Sequence, residues 1–226
     1  MRYTTWGSVA SIALAATATF GMQVPSAGAT AQTCFGHPAT IVGTPGNDTL
    51  TGTPGPDVIV GLEGDDTIHG GGGNDIICGD DGADSLHGGH GADLLSGSRG
   101  ADRLTGNRGA DTLRGGADSD AIRGGRKADK MSGGSGGDFL KGSKGADRIA
   151  GGADDDTLKG SKGADHLFGS VGNDTIVAGT GADHLSGGEG NDSLNSQDGV
   201  PDDNVRGGAG VDTCLADTGD AVSGCP

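Results

Sequence analysis

The sequence predicts an all-β chain, a parallel β-roll built of tandem nine-residue repeats. Three observations predict it. Glycine and aspartate recur in one register over most of the chain, and a single aliphatic residue follows each aspartate at a fixed distance. The composition also leaves too little apolar material for an ordinary core, with 50 Gly in 226 residues, 3% aromatics and a formal net charge of −16. Such a composition belongs to disorder or to a repeat architecture, and self-similarity at a fixed period decides for the repeat.

The elements follow in chain order. Residues 1–31 read as a secretory signal peptide. Arg2 supplies a positive start, Trp6 to Phe20 form an uncharged run of apolar and small residues, and Ala27-Gly28-Ala29 or Ala29-Thr30-Ala31 offers a cleavage site. The run is too short and too rich in Ala, Thr and Ser for a membrane anchor. Cys34 lacks the small-residue context of a lipidated cysteine. A secreted chain with no membrane span after processing is expected, its residues 32–42 forming an N-terminal cap.

From Gly43 the chain divides into 17 consecutive nine-residue repeats ending at Asn195, without insertion. Asp holds the sixth place in all 17, and Leu, Ile or Met the eighth. Gly holds the first place except at Ala178, and the fourth except at Asp118, Lys127 and Asp154. Glycines at the first, second and fourth places allow positive φ, so that the chain turns tightly with carbonyls directed inward. The last three residues of each repeat form a short strand whose middle side chain faces away from its neighbours. Turn and strand in alternation give a flattened coil with one aliphatic residue inward per strand. Carbonyl oxygens and a carboxylate are hard ligands of the kind calcium takes, six to eight at a time. The acidic balance likewise points to cations, and away from nucleic acid, as partners.

The phrase G-G-x-G-x-D followed by x, an aliphatic and x resembles the RTX (haemolysin-type) calcium-binding repeat, continuously over 43–195 and again at 207–215. The opening CFGHPATIVGTPGNDTL and the ending DGVPDDNVRGGAGVDTC are also similar to small secreted actinobacterial proteins made of these repeats alone. The resemblance implies a right-handed solenoid with two repeats per turn, calcium lying between turns stacked on the same side. It implies as ligands Asp48, Asp57, Asp66, Asp75, Asp84, Asp93, Asp102, Asp111, Asp120, Asp129, Asp138, Asp147, Asp156, Asp165, Asp174, Asp183, Asp192 and Asp212. Stacking brings same-side carboxylates to about 5 Å, where each pair repels by about 1 kcal/mol even in water. A chain largely unfolded without calcium and folded with it is therefore expected.

Departures from the repeat are informative. Every eighteenth residue on one edge is basic at the third place, Arg108, Arg126, Lys144 and Lys162, whereas the other edge carries the additional Asp118, Asp154 and Asp155. Either the basic edge weakens calcium binding at Asp111, Asp129, Asp147 and Asp165, or these side chains point into solvent and leave the ligands alone.

Other signals carry no chemistry. GGSGG at 133–137 mimics a nucleophile elbow but falls within the repeat, without strand–turn–helix context. Gly70 to Gly73 mimics a phosphate loop with no G-K-[ST] after it. His87 and His90 read as a strand end and a variable turn place rather than a transition-metal pair, and no H-E-x-x-H occurs. The N-D-T and N-D-S triplets at Asn47, Asn173 and Asn191 belong to the repeat.

Residues 196–226 form a C-terminal cap containing one further repeat, with a DGVPD bulge that makes Ser196 to Arg206 two residues longer than a repeat. Cys34 with Cys78 and Cys214 with Cys225 are plausible bridges, one at each end, although spacing alone does not fix connectivity. No catalytic constellation is present, so a non-enzymatic secreted calcium-binding protein is expected. The alternative is a calcium-dependent adhesion module for a cell-surface polysaccharide or protein.

Overall fold

The computed structural model describes residues 32–225, and segment 1–31, expected from its sequence to be a signal peptide, lies outside the described residues. The described chain is all strand and turn. Short strands β1 (Thr33–Cys34), β2 (His37–Pro38), β3 (Ile41–Val42) and β4 (Thr49–Thr51) precede a regular series. That series runs from β5 (Val58–Glu63) to β19 (His184–Glu189), six residues each, every strand starting nine residues after the last. β20 (Ser193–Asn195), β21 (Asn204–Ala209), β22 (Thr213–Leu215) and β23 (Ala221–Ser223) complete the chain.

Even-numbered strands β4 to β22 form one ten-stranded sheet and odd-numbered β3 to β23 an eleven-stranded one. Every neighbour pair in both sheets is parallel, and residue i pairs with i+18 along the nonapeptide series, as in Leu104 with Ile122. Two repeats thus make one turn of a parallel β-solenoid of about ten turns. The eighth-place residues, from Leu50 through Leu194, fill the interior in two facing files and are almost all fully buried.

The strands are twice as long as three-residue strands would be, and they run through the first-place glycine. Positive φ occurs at the second and fourth places, as at Gly71 (103°) and Gly73 (105°), while first-place glycines such as Gly70 stay extended. The first place needs glycine for room, not for its φ. A Cβ on Gly70 would lie 2.5 Å from Asp75 Oδ2 and 2.6 Å from the Gly88 carbonyl oxygen.

The ends are held differently. The β1–β2 hairpin lies on the outer face of the odd sheet, where Cys34, Val60 and Cys78 form a small buried cluster with Val58, Leu62 and Ile76 against it. Cys34 is bridged to Cys78 (Cα–Cα 5.8 Å) and Cys214 to Cys225 (6.0 Å). At the other end the coil continues past Asn195 through β21, β22 and β23, each in parallel register with the turn before it.

Candidate metal centres

Each turn between strands presents its sixth-place Asp to the interior, and these residues stack into two rows along the two edges of the coil. In one row the backbone N–H of Asp48 donates to Oδ1 of Asp66, that of Asp66 to Asp84, and so on to Asp192 and Asp212, every bond 2.8–2.9 Å. The second row runs likewise from Asp57 through Asp75 and Asp93 to Asp183 and Asp203, at 2.7–2.9 Å. It ends on Asp220, which accepts from Asp203 at 3.2 Å. Each aspartate also lends its backbone carbonyl to the turn that follows, as Asp66 does to the N–H of Ser85 (2.8 Å).

One oxygen is thereby used and the other is not. In 17 of these carboxylates, Asp66 to Asp192 at every ninth residue with Asp203 and Asp212, Oδ2 is shielded from solvent and has no hydrogen-bond partner. A buried polar atom without a partner is costly, and this one recurs in every turn. Beside it lie the first-place glycine of its own repeat and a carbonyl oxygen of the next turn, as the Gly70 pocket shows. The oxygens brought together are an unpartnered carboxylate Oδ2 and a backbone carbonyl, a set that suits a hard divalent cation and calcium above all.

Burial also sets the electrostatics. It pushes the carboxyls of Asp66, Asp75, Asp93, Asp165 and Asp174 from 3.8 up to about 6. It pushes Asp102, Asp120, Asp129, Asp156 and Asp183 up to about 7. The N–H bond at Oδ1 opposes burial, whereas neighbouring carboxylates in the row add to it, as Asp84 does for Asp66. A cation bound at these oxygens would reverse the balance by favouring the ionised form.

Sixteen of the eighteen aspartates expected from the sequence carry the free oxygen; Asp48 and Asp57 do not. Oδ2 of Asp48 accepts from the Thr44 N–H (2.6 Å) and Oγ1 (2.9 Å), and that of Asp57 from Thr53 at the same distances. The nine-residue spacing misses Asp203 and Asp220, because the 11-residue unit 196–206 and a shortened last unit displace them. Both keep the local signature D-x-[aliphatic]-x-Gly, Asp203 to Gly207 and Asp220 to Gly224, which would have found them. In the 196–206 bulge, Asp198 and Asp202 bring carboxylate oxygens within 4.8 Å of one from Asp203. No histidine joins a cluster of ligand spacing among the described residues, and His87 is stacked on His69 with ring centroids 4.7 Å apart.

The departures from the repeat also find their places. Asp118 and Asp154 accept from the N–H groups of Gly100 (3.3 Å) and Gly136 (3.1 Å), one turn earlier. Asp155 accepts from the N–H of Asn173, and Asn173 in turn from that of Asn191. These side chains support turns. Arg108, Arg126, Lys144 and Lys162 are exposed, and none of them is a cause of the shifts at Asp129 or Asp165. Of the basic residues only Lys127 acts on the row, lowering Asp111 against its burial.

A solved structure described as a hyperactive, Ca2+-dependent, beta-helical antifreeze protein from an Antarctic bacterium is similar at 19% identity and a TM-score of 0.44, covering 77% of this chain and 78% of that one. No curated protein matches. A family model, the RTX calcium-binding nonapeptide repeat (4 copies), matches residues 42–77, 76–104, 96–131, 132–167, 168–200 and 202–222. That stretch takes in both aspartate rows with their glycine cradles, a donor set that fits the family's ion, Ca2+. The chain belongs to the RTX calcium-binding nonapeptide repeat family.

Proposed function

We propose that this is a secreted, non-enzymatic calcium-binding protein whose two aspartate rows take up Ca2+ between stacked turns, and whose fold is completed by that uptake. One observation carries the reading: a buried, partnerless Oδ2 in 17 successive ladder carboxylates. Each such oxygen would supply the anionic ligand, with backbone carbonyls of the adjoining turn supplying neutral ones. The ion removes the unsatisfied acceptor and the like-charge stacking together. In the bulge, Asp198 and Asp202 would add two carboxylates to Asp203, making the C-terminal end the most anionic of the sites. Asp48 and Asp57 stand apart, because Thr44 and Thr53 already satisfy them.

The outer framework supports export. Two disulfides and calcium-binding repeats are typical of extracellular proteins. No helix among the described residues is long and apolar enough to cross a membrane. The family is a calcium-binding repeat, not an enzyme class.

The test is a calcium titration of the chain from residue 32, from chelator through about 10⁻⁴–10⁻³ M, the range of extracellular calcium modules, followed by far-UV circular dichroism. A cooperative change from a disordered to a β spectrum is expected. A β spectrum that chelator leaves unaltered at neutral pH would overturn the coupling of calcium to folding.

A further inference from the structure

We propose that the outer face of the even sheet is a binding site for an acidic polysaccharide, a linear polymer bearing carboxylate or sulfate groups among hydroxyls. The face is formed by β10 (Arg103–Arg108), β12 (Ala121–Arg126), β14 (Phe139–Lys144) and β16 (Thr157–Lys162), four neighbouring strands that carry eight basic residues and no acidic one.

Parallel register turns sequence positions into rails. Arg108 pairs with Arg126 and Arg126 with Lys144, while Arg123 pairs with Lys141 and Lys141 with Lys159. Lys162 extends the first rail. Like charges are therefore repeated at the strand spacing of about 4.8 Å, inside the Debye length of about 8 Å at physiological salt. Like charges directly opposite one another across strands disfavour a sheet, and no carboxylate on this face offsets them; Lys159 alone rests on an aromatic ring, that of Phe139, 5.3 Å from its centroid. The one ion pair among the described residues, Arg99 with Asp81, lies on the other sheet. The additional acids Asp118, Asp154 and Asp155 sit in the turns that enter these strands, whereas the rail Arg108–Lys162 borders the turns that leave them. On a chain of formal net charge −16, this is a localised basic surface.

A groove of about 610 Å³ runs between the rails, because the first-place residue faces the interior and the second place holds Gly89, Asn107, Gly125 or Ser143. Thr105, Asn107 and Ser143 line it together with Arg108, Arg123, Arg126 and Lys144. Asn107, Ser143 and Ser161 hold the second place at φ of 76°, 92° and 90°, where glycine is the unstrained choice. Ser143 Oγ lies in the groove floor, shielded from solvent and without a hydrogen-bond partner, so a ligand reaches it only by parting the side chains above it. Cationic rails with hydroxyl and amide groups between them match a ligand that alternates oxyanions with hydroxyls. A polyphosphate would use the rails alone. Single-stranded nucleic acid needs aromatic platforms, and Phe139 is the one aromatic ring on these four strands.

The experiment immobilises dextran sulfate and polyuronate, with neutral dextran, polyphosphate, single-stranded DNA and duplex DNA in parallel. The calcium-loaded chain is passed over each, with circular dichroism confirming the β spectrum. Binding to the two acidic polysaccharides, weakened by salt and absent on neutral dextran, is expected. The variant Arg108→Gln/Arg126→Gln/Lys144→Gln/Lys162→Gln should bind roughly tenfold or more weakly, since each lost cation–oxyanion contact steepens the loss at low salt. The variant Arg114→Gln/Lys130→Gln/Arg148→Gln/Arg206→Gln removes the same charge from the other sheet and should bind as the parent does. Should the rail variant lose its β spectrum, the single changes Arg126→Gln and Lys144→Gln provide the comparison. Equal loss in both quadruple variants, or binding to polyphosphate or DNA as tight as to the polysaccharides, would overturn the assignment. Because folding is read separately, failure of calcium to fold the chain and failure of this face to bind are distinguishable.

Discussion

Removing calcium should make the stability of this fold fall as the pH rises, the reverse of the usual behaviour of aspartate-rich proteins. The perturbation is calcium withdrawal at a series of pH values. Ten ladder aspartates are held at about 6 or about 7 in the fold against 3.8 in the open chain. A carboxyl with a raised folded-state pKa binds its proton more tightly folded than unfolded. Its contribution is greatest below about pH 4 and is lost as the pH rises through the folded value. At about 1.4 kcal/mol per pH unit, each site accounts for about 3–4 kcal/mol. These side chains are at most 3% exposed, so solvent screening does not reduce that figure much. Two or three such sites match the entire stability of a typical domain, about 5–15 kcal/mol. Keeping all ten ionised would thus cost the ion-free roll more than such a fold has in hand, and at about pH 8 it is expected to unfold.

The assay is circular dichroism of the chain stripped of calcium at alkaline pH and transferred to buffers from about pH 4.5 to 8.5, with and without calcium at about 10 mM. Without calcium, the β signal should be largest at the acid end and vanish with a midpoint between about pH 5 and 7. With calcium it should stay level across the neutral range, because the ion replaces the proton. Net charge changes in the same direction, the sequence pI being about 4.4. Repeating the series at about 1 M salt, where the Debye length is about 3 Å, removes the surface repulsion and leaves the buried carboxyls. An ion-free chain as folded at pH 8 as at pH 5, or one whose folding improves with rising pH, would refute the reasoning.

The remaining predictions concern single positions. Gly70→Ala should cost about 1–3 kcal/mol by overpacking and weaken calcium uptake at its own turn, seen as a raised calcium midpoint in the dichroism titration; Ala178→Gly should shift it the other way. Leu140→Ala, at a fully buried position, should lose about 2–5 kcal/mol in a denaturant melt of the calcium-loaded chain. Opening Cys214–Cys225, with a sequence separation of 11, should cost about 3 kcal/mol, and opening Cys34–Cys78, separation 44, about 4 kcal/mol by loop entropy; hydrogen exchange should show fraying confined to the corresponding end. Asp198→Asn/Asp202→Asn should weaken the calcium site at Asp203 in a calorimetric titration while leaving the total number of sites unchanged, because Asp203 keeps its own free oxygen.

The aspartate rows and the aliphatic files were legible in the sequence because a solenoid repeats one local problem, and each solution recurs at nine residues. What breaks the spacing was not legible. Asp203 and Asp220 occupy ladder places, but a two-residue insertion and a shortened last unit remove them from the count, although each keeps its own D-x-[aliphatic]-x-Gly phrase. Strand length was misjudged because a glycine reads as a turn. Here the first-place glycine is extended, chosen because a Cβ would meet a carboxylate and a carbonyl that belong to different turns. The hairpin of residues 33–38 has no period to betray where it docks. Its partners are outward residues of the second to fourth repeats, Val58, Val60, Leu62, Ile76 and Cys78, whose apolar character at normally polar places was the available signal. The four basic third-place residues were visible, but their joining with Arg103, Arg123, Lys141 and Lys159 into one face depends on which strands are neighbours.

The hydrogen-bond pattern also says how far a local loss travels. Each ladder aspartate donates its N–H to the carboxylate one turn later and receives, on its own carboxylate, the N–H one turn earlier. Asp120→Asn would thus leave Oδ1 of the side chain able to accept from Asp102 but remove one anionic ligand, whereas Asp120→Ala would also strand the Asp102 N–H in the interior. The two changes lower ion binding alike and differ by one buried donor, about 1–3 kcal/mol. Because contacts in a solenoid run only between neighbours, the additional damage from Asp120→Ala should spread along its own row, to Asp102 and Asp138, before it reaches the opposite row across the aliphatic files. Amide exchange at Asp102 and Asp138, compared with Asp111 and Asp129, measures this directly. Equal acceleration in both rows would mean that the turns, and not the rows, are the cooperative units.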